Sequence, residues 1–546
     1  MALLICWPVS VAAQDAYVVG DCSLPQAEAI LETGNVEARI YNDGRLFFRG
    51  SPHLYRVPKS GQAHAVFAAN LWVGGFVDNE LRVTGSTYGP TEFWSGPLPE
   101  SGGPPEDCAS FDRFWRLDFE QHLDGSSGSL VLTPETQEWP VHLGAPYIDT
   151  DGIEGYHPER GDYPVMHGDS QLWWIMNDRG NTHESFRTRP LGVEVLASAF
   201  GFASENDLGN VTFYRYMISN KGSMPIENAH VAMHQDMDLG FPKDDSAGSD
   251  STLALAYLYQ QANVDQPWSA EGTYGENPPA VGFTVLEASH SNGQLPSDLG
   301  LSPSHHATAA HNVFNGGGVT GDPRHAHDAW HHMNGRWRDG QAVTEGGNGL
   351  DSEGPVTRWW MPGEPTTDSF WSERNTDGSG SMMGPSDRKL TLSFRGFDLH
   401  PGEWARFTFA IVWAQGADHL DSVAQLKALT ASLHASTASL LAPRTPIPPR
   451  FIDGNPPEPA QFPFWVDEPY PNPARDHVNL RMSLKWNALV TMEVVDALGR
   501  TQSRESFEGI PGPVTRRIQT VGLAPGTYMV RVSQRGEHVD WPLIVL

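Results

Sequence analysis

Apolar residues fall on every second position through most of this chain, and the period lengthens to that of a helix at one place only. In VEARIYNDGRLFF, two alternating runs flank Asn42-Asp43-Gly44, a turn sequence that predicts a β-hairpin. Residues 65–85 repeat the pattern, and further strands are predicted over 212–220, 228–239 and 388–413. FTFAIVWA is apolar without a break, which suggests a central strand buried on both faces. The helical period lies at 418–442, where Val423, Leu426, Leu429, Leu433 and Leu440 form one stripe, Asp418 or Asp421 can cap and Pro443 stops the run. Beyond residue 470 the alternation returns in Val478, Leu480, Met482 and Leu484, in Val490, Met492 and Val494, in Tyr528, Val530 and Val532, and in Val539, Trp541, Leu543 and Val545. The pattern predicts a mainly β protein: a large multi-sheet region with one helix near 418–442, followed by a C-terminal Ig-like β-sandwich.

Composition supports many short strands joined by turns, with 55 glycines and 43 prolines in 546 residues. Residues 14–443 form the large β-rich region, with a candidate division into two subdomains near 145. A proline-rich, semi-rigid linker follows at 444–467, and the small sandwich occupies 468–546. Residues 2–13 are an apolar run too short to span a bilayer, ending in Val11-Ala12-Ala13, where small residues suit signal peptidase. A signal peptide over 1–13 is expected, truncated or misassigned at its start because it lacks a basic region; a buried strand is the alternative. No other segment is long and apolar enough to cross a membrane. Removal of Cys6 with the signal would leave Cys22 and Cys108 as an even pair, suited to a disulfide in an oxidising compartment.

A net charge of -30 argues against nucleic acid and anionic membrane surfaces as partners and favours cations. In the predicted strand that ends near Leu239, His234, Asp236 and Asp238 share one face at about 7 Å between alternate residues, with Val231, Met233, Met237 and Leu239 on the other. Asp244, Asp245 and Asp250 follow closely. Such crowded carboxylates repel unless neutralised, so these residues are candidate Ca²⁺ ligands, with a solvated acidic loop as the alternative. Asp149, Asp151 and Glu154 around a glycine turn form a second calcium candidate, weighed against turn capping by these residues and by Asp162, Asp169 and Asp178. In HAHDAWHH, His325, His327 and His331 could hold a transition metal, although the flanking sequence reads as flexible loop. Trp72, Phe93 and Trp94 could stack on sugar or simply fill a core. No nucleophile set, phosphate loop or singled-out carboxylate pair suggests a reaction, so no catalytic residue is assigned.

The words YPNPA, DALGR and GLAPGTYMVRV, in this order and ahead of a terminal strand, resemble the type A C-terminal sorting domain of the type IX secretion system. Tyr470, Pro471, Asn472, Pro473, Gly499, Gly526 and Tyr528 carry the likeness. The resemblance implies export through the type IX machinery, via the periplasm, to the outer cell surface or the medium. The final strand, WPLIVL, departs from the family in lacking its usual nearby lysine. Segments such as LWVGGF, LWWIMND, PSDRK and HPGEW are similar to uncharacterised secreted proteins of Bacteroidetes that end in such domains, a group that lends no activity. The expectation is a secreted binding or envelope-structural protein with structural calcium; a glycan-active enzyme or glycan-binding protein is the alternative.

Overall fold

Two nine-stranded antiparallel sheets build the larger part of the chain. The computed structural model describes residues 19–50, 55–119, 132–150, 152–266, 272–292, 307–313, 318–350, 352–444, 464–470, 472–485, 488–496, 500–509 and 512–546. The expected signal peptide, most of the proline-rich linker, Asp151, Pro471 and Gly499 lie outside them. The chain divides into two units, Met1–Pro448 and Pro449–Leu546.

In the larger unit the first sheet runs, in order, through Glu28–Thr33, Val36–Tyr41, Arg45–Leu46, Ala68–Val77, Ile226–Asp236, Arg388–Leu399 and Ala307–Val313. The second runs Asp245–Asp250, Leu255–Gln260, Ala280–His290, Trp404–Ala414, Val211–Asn220, Val193–Gly201, Ser170–Asn177 and Trp94–Ser95. Their inner faces share one core, because the period-two pattern sends Val231, Met233, Leu390 and Leu392 from one sheet toward Tyr214, Tyr216, Phe407 and Phe409 from the other. Residue 145 is no boundary here. Trp115–Asp118 pairs with Ser170–Asn177, and Ala68–Val77 pairs with Ile226–Asp236, so chain from both sides of it is woven into the same sheets.

The outer faces are covered differently. On the second sheet the helix His419–Leu440 lays Val423, Leu426 and Leu433 over Phe213, Tyr257 and Val412, and the Asp418 carboxylate accepts from the amides of Leu420 and Asp421 at its start. Further along that face, Trp115, Trp139 and Trp173 form a separate apolar cluster. The first sheet is covered by the helix Ala326–Met333, a second helix that the sequence reading of HAHDAWHH as a metal-binding run did not anticipate. Ala326, Ala329, Trp330 and Met333 recur at helical spacing against Trp72 and Ala232, a pattern masked in the sequence by the intervening histidines. Cys22 and Cys108 are joined in a disulfide. Among the described residues no helix is long and apolar enough to cross a membrane.

The smaller unit is a sandwich of a three-stranded and a four-stranded sheet. Val478, Leu480, Met482, Val490, Val494, Val530, Val532 and Leu543, apolar positions of the alternating runs, fill its interior.

Candidate functional site

The strand Ile226–Asp236 lies between Ala68–Val77 and Arg388–Leu399, and its register assembles a polar site on the outer face of the first sheet. Asp236 stands opposite Lys389, and His234 opposite Thr391 and Asn70. Just past the strand end, Asp238 turns back toward the same place. Carboxylate oxygens of Asp236, Asp238 and Asp387 gather within 4.8 Å of one another, the one such group of metal-capable side chains among the described residues. Two full charges at that separation repel by about 3–4 kcal/mol at an effective dielectric near 20.

The surroundings neutralise part of this charge. Lys389, with no exposed surface, places Nζ 3.2 Å from Asp322 Oδ1 and 3.8 Å from Asp236 Oδ2. Its ammonium also sits 4.6 Å from the centre of the Tyr88 ring, and the Tyr88 hydroxyl donates to Asp236 Oδ2 at 2.6 Å. Lys389 thus pairs with two aspartates, and its charge and that of Lys243 also act on Asp387. Burial first, then the charge of Asp236, pushes the Asp387 carboxyl up to about 7. His234 stacks on Trp72 with ring centres 4.4 Å apart and meets Thr391 Oγ1 at 3.0 Å through Nδ1. Burial, reinforced by Lys389 and His332, holds its imidazole well below its usual value and therefore neutral.

Asp244 and Asp245 belong to an adjoining acidic nest and are occupied by hydrogen bonds. Asp245 accepts from Leu239 N and Gln260 Nε2, while Asp244 accepts from Gln266 N. Burial and then Asp238 raise Asp245 well above the carboxylate range. Asp250 is at the far end of its strand, about 17 Å away at 3.3 Å per residue, where it accepts from Thr252 N and pairs with Lys427 at 3.6 Å. The five aspartates proposed as one cluster are therefore split, and only Asp236 and Asp238 join the gathered group.

The other candidates are engaged elsewhere. Asp149 accepts from Gly152 N at 2.7 Å, a turn-capping contact, and Glu154 is exposed. Asp162 ties the same loop by accepting from Thr150 N and His157 N, and Asp178 accepts from the amides of Leu191, Gly192 and Val193. His325, His327 and His331 do not converge: His325 meets Asp328 at 3.4 Å and His331 donates through Nδ1 to the Arg338 carbonyl. Trp72, Phe93 and Trp94 are buried, so none is a stacking platform.

In the smaller unit the sequence words acquire physical roles. Asn472 donates to the Pro542 carbonyl and accepts from Ile544 N, and Ala474 bridges Val545 in parallel, so the YPNPA segment pins the terminal strand. Gly526 opens the strand paired with that terminal strand, and the Tyr528 hydroxyl donates back to the Ala524 carbonyl. Residues 468–545 match the family model of the secretion system C-terminal sorting domain. The chain carries a type IX sorting domain. This sorting domain indicates handling by the type IX machinery and delivery to the outer surface or the extracellular space.

No curated protein matches the chain. Among solved structures, a polysaccharide lyase is 8% identical with a TM-score of 0.17, over 69% of this chain and 35% of its own. The BSP domain of a biofilm-associated protein is 10% identical with a TM-score of 0.13, over 69% and 60%. The chain thus spans about a third of the first and three fifths of the second, and at these scores neither likeness bears on function.

Proposed function

We propose that the chain is a secreted or surface-displayed protein with a non-catalytic binding or envelope-structural role, whose large unit is tied together by a structural Ca²⁺ ion. The sorting domain supports the destination. The observation that supports the ion is the convergence of Asp236, Asp238 and Asp387, three hard-oxygen ligands from two strand ends. An ion there would join the end of Ile226–Asp236 to the start of Arg388–Leu399, two central strands of the first sheet. It would also relieve the repulsion that raises Asp387. The partners expected on arrival are envelope components or cell-surface glycan.

Melting of the purified mature protein tests this reading. Ca²⁺ at about a hundred times its dissociation constant stabilises by about 2.7 kcal/mol, so chelator should lower Tm by at least about 2 °C and added Ca²⁺ should restore it. An unchanged Tm, with no calcium found by elemental analysis, would remove the ion from the proposal.

A further inference from the structure

The outer face of the second sheet holds a cavity of about 350 Å³ between the long helix and the tryptophan cluster. Its walls are largely apolar: Trp173, Leu196 and Met217 rise from the sheet, and Leu441 and Pro443 close over them from the segment after the helix. The polar part is concentrated in Arg215 and Arg406, which lie diagonally across adjacent strands, Arg215 opposite Thr408 and Arg406 opposite Met217.

Both guanidinium groups lean on the same carboxylate. Arg215 Nη2 donates to Glu287 Oε2 at 2.8 Å, and Arg406 donates through Nε and Nη2 to Oε1 at 3.1 and 2.7 Å. Thr408 Oγ1 adds a fourth donor at 2.8 Å. A β-bulge makes this possible. Val285 pairs with Phe409 and Glu287 with Thr408, so Leu286 is the extra residue; strict alternation from Val285, with no bulge, would aim Glu287 into the core.

The remaining lining groups add no negative charge. Arg215 Nη1 donates to His167 Nε2 at 2.6 Å, and burial, with Arg215 behind it, lowers that imidazole to about 4, so it is neutral near pH 7. Gln171 spends its amide on the His167 amide and the Val165 carbonyl. Two cations against one carboxylate leave the cavity one positive charge in excess, within a chain of net charge -30. Arg215 Nε is buried and has no hydrogen-bond partner among the described residues.

We infer that this cavity binds a small organic anion, a single carboxylate carried on a ring, with the carboxylate on the Arg215–Arg406 pair and the ring against Trp173, Leu196 and Met217. The volume lies at the small end of the range for ligand pockets, about 300–1,000 Å³, which fits one ring and excludes an extended chain. The inference gives a ligand class to the binding role proposed above and is independent of the cation on the other sheet.

Titration of the mature full chain in Ca²⁺-containing buffer tests it, with benzoate and glucuronate as probes and benzyl alcohol and glucose as their neutral counterparts. Running it with the ion present separates a failure here from a failure of the calcium reading. At least one carboxylate should bind with Kd below about 1 mM, and its neutral counterpart at least about tenfold more weakly. Arg406→Gln should weaken that binding about tenfold or more, as expected for removing one partner of a charge-assisted contact. Ser198→Asp, which places a like charge on the lining, should do the same and serves if Arg406→Gln does not fold. Binding of neither carboxylate below about 1 mM, equal binding of the neutral counterparts, or unchanged affinity in the folded variants would overturn the inference.

Discussion

Asp387 shows how far a single residue's chemistry depends on chain that is remote in sequence. Its carboxyl is held near 7 by burial and by Asp236, whereas in the unfolded chain it ionises near the ordinary value of 3.8. Between those values the folded chain keeps a proton that the unfolded chain gives up. In the absence of Ca²⁺, then, stability should fall relative to Asp387→Asn as pH rises from about 4 through about 7, and level off above. Denaturant melts of the two proteins across that range, with chelator present, read this difference, and a constant difference would refute the coupling. Asp387→Asn should also abolish the Tm rise produced by calcium. Asp236 and Asp238 were legible because alternate residues of a strand share a face. Asp387, Lys389, Asp322 and Tyr88 were not, because only the register of Ile226–Asp236 against Arg388–Leu399 and the loop paths bring them near. Asp149 and Asp250 show a local ambiguity: at a turn, a carboxylate that could bind a cation is equally suited to accept backbone amides, and both accept one here.

At the scale of elements, periodicity was a good guide wherever one face was wholly apolar. The stripe of the long helix is an instance: Val423, Leu426 and Leu433 are buried against the second sheet, with Leu429 and Leu440 packed at its margin. Leu426→Ala should destabilise the large unit by roughly 2–5 kcal/mol, the usual cost of a buried leucine, measurable by denaturant unfolding. A value under about 1 kcal/mol would mean that the helix is not docked as described. The short helix Ala326–Met333 escaped notice because its apolar face is only four residues and three of its four polar positions are histidine, which suggested metal chemistry. The bulge at Leu286 was equally hidden. In FTVLEASH the alternation slips by one residue, and nothing in that slip says which strand lies opposite.

For the whole molecule, the sequence carried the β class and the sorting domain plainly, since both rest on local alternation and on words that recur in order. The strand order of the large unit was beyond it. Neighbours in the first sheet come from residues 68–77, 226–236 and 388–399, separations that no local pattern encodes. The two units make a direct prediction. A chain lacking 449–546 should keep the β-sheet circular dichroism and cooperative melting of the large unit yet remain inside the cell, as read by fractionation; release of the shortened chain to the surface would deny the tail its sorting role. The scattered strand order also has a bearing on how the newly made chain folds. The first sheet lacks a central strand until residue 399 has been made, and the second lacks one until 414. Pairings this distant close slowly, so the newly made chain remains for a time a flexible thread with unpaired strands. While that lasts, bare strand edges can pair with those of other chains, so the interval between synthesis and closure is when the protein is most exposed to aggregation.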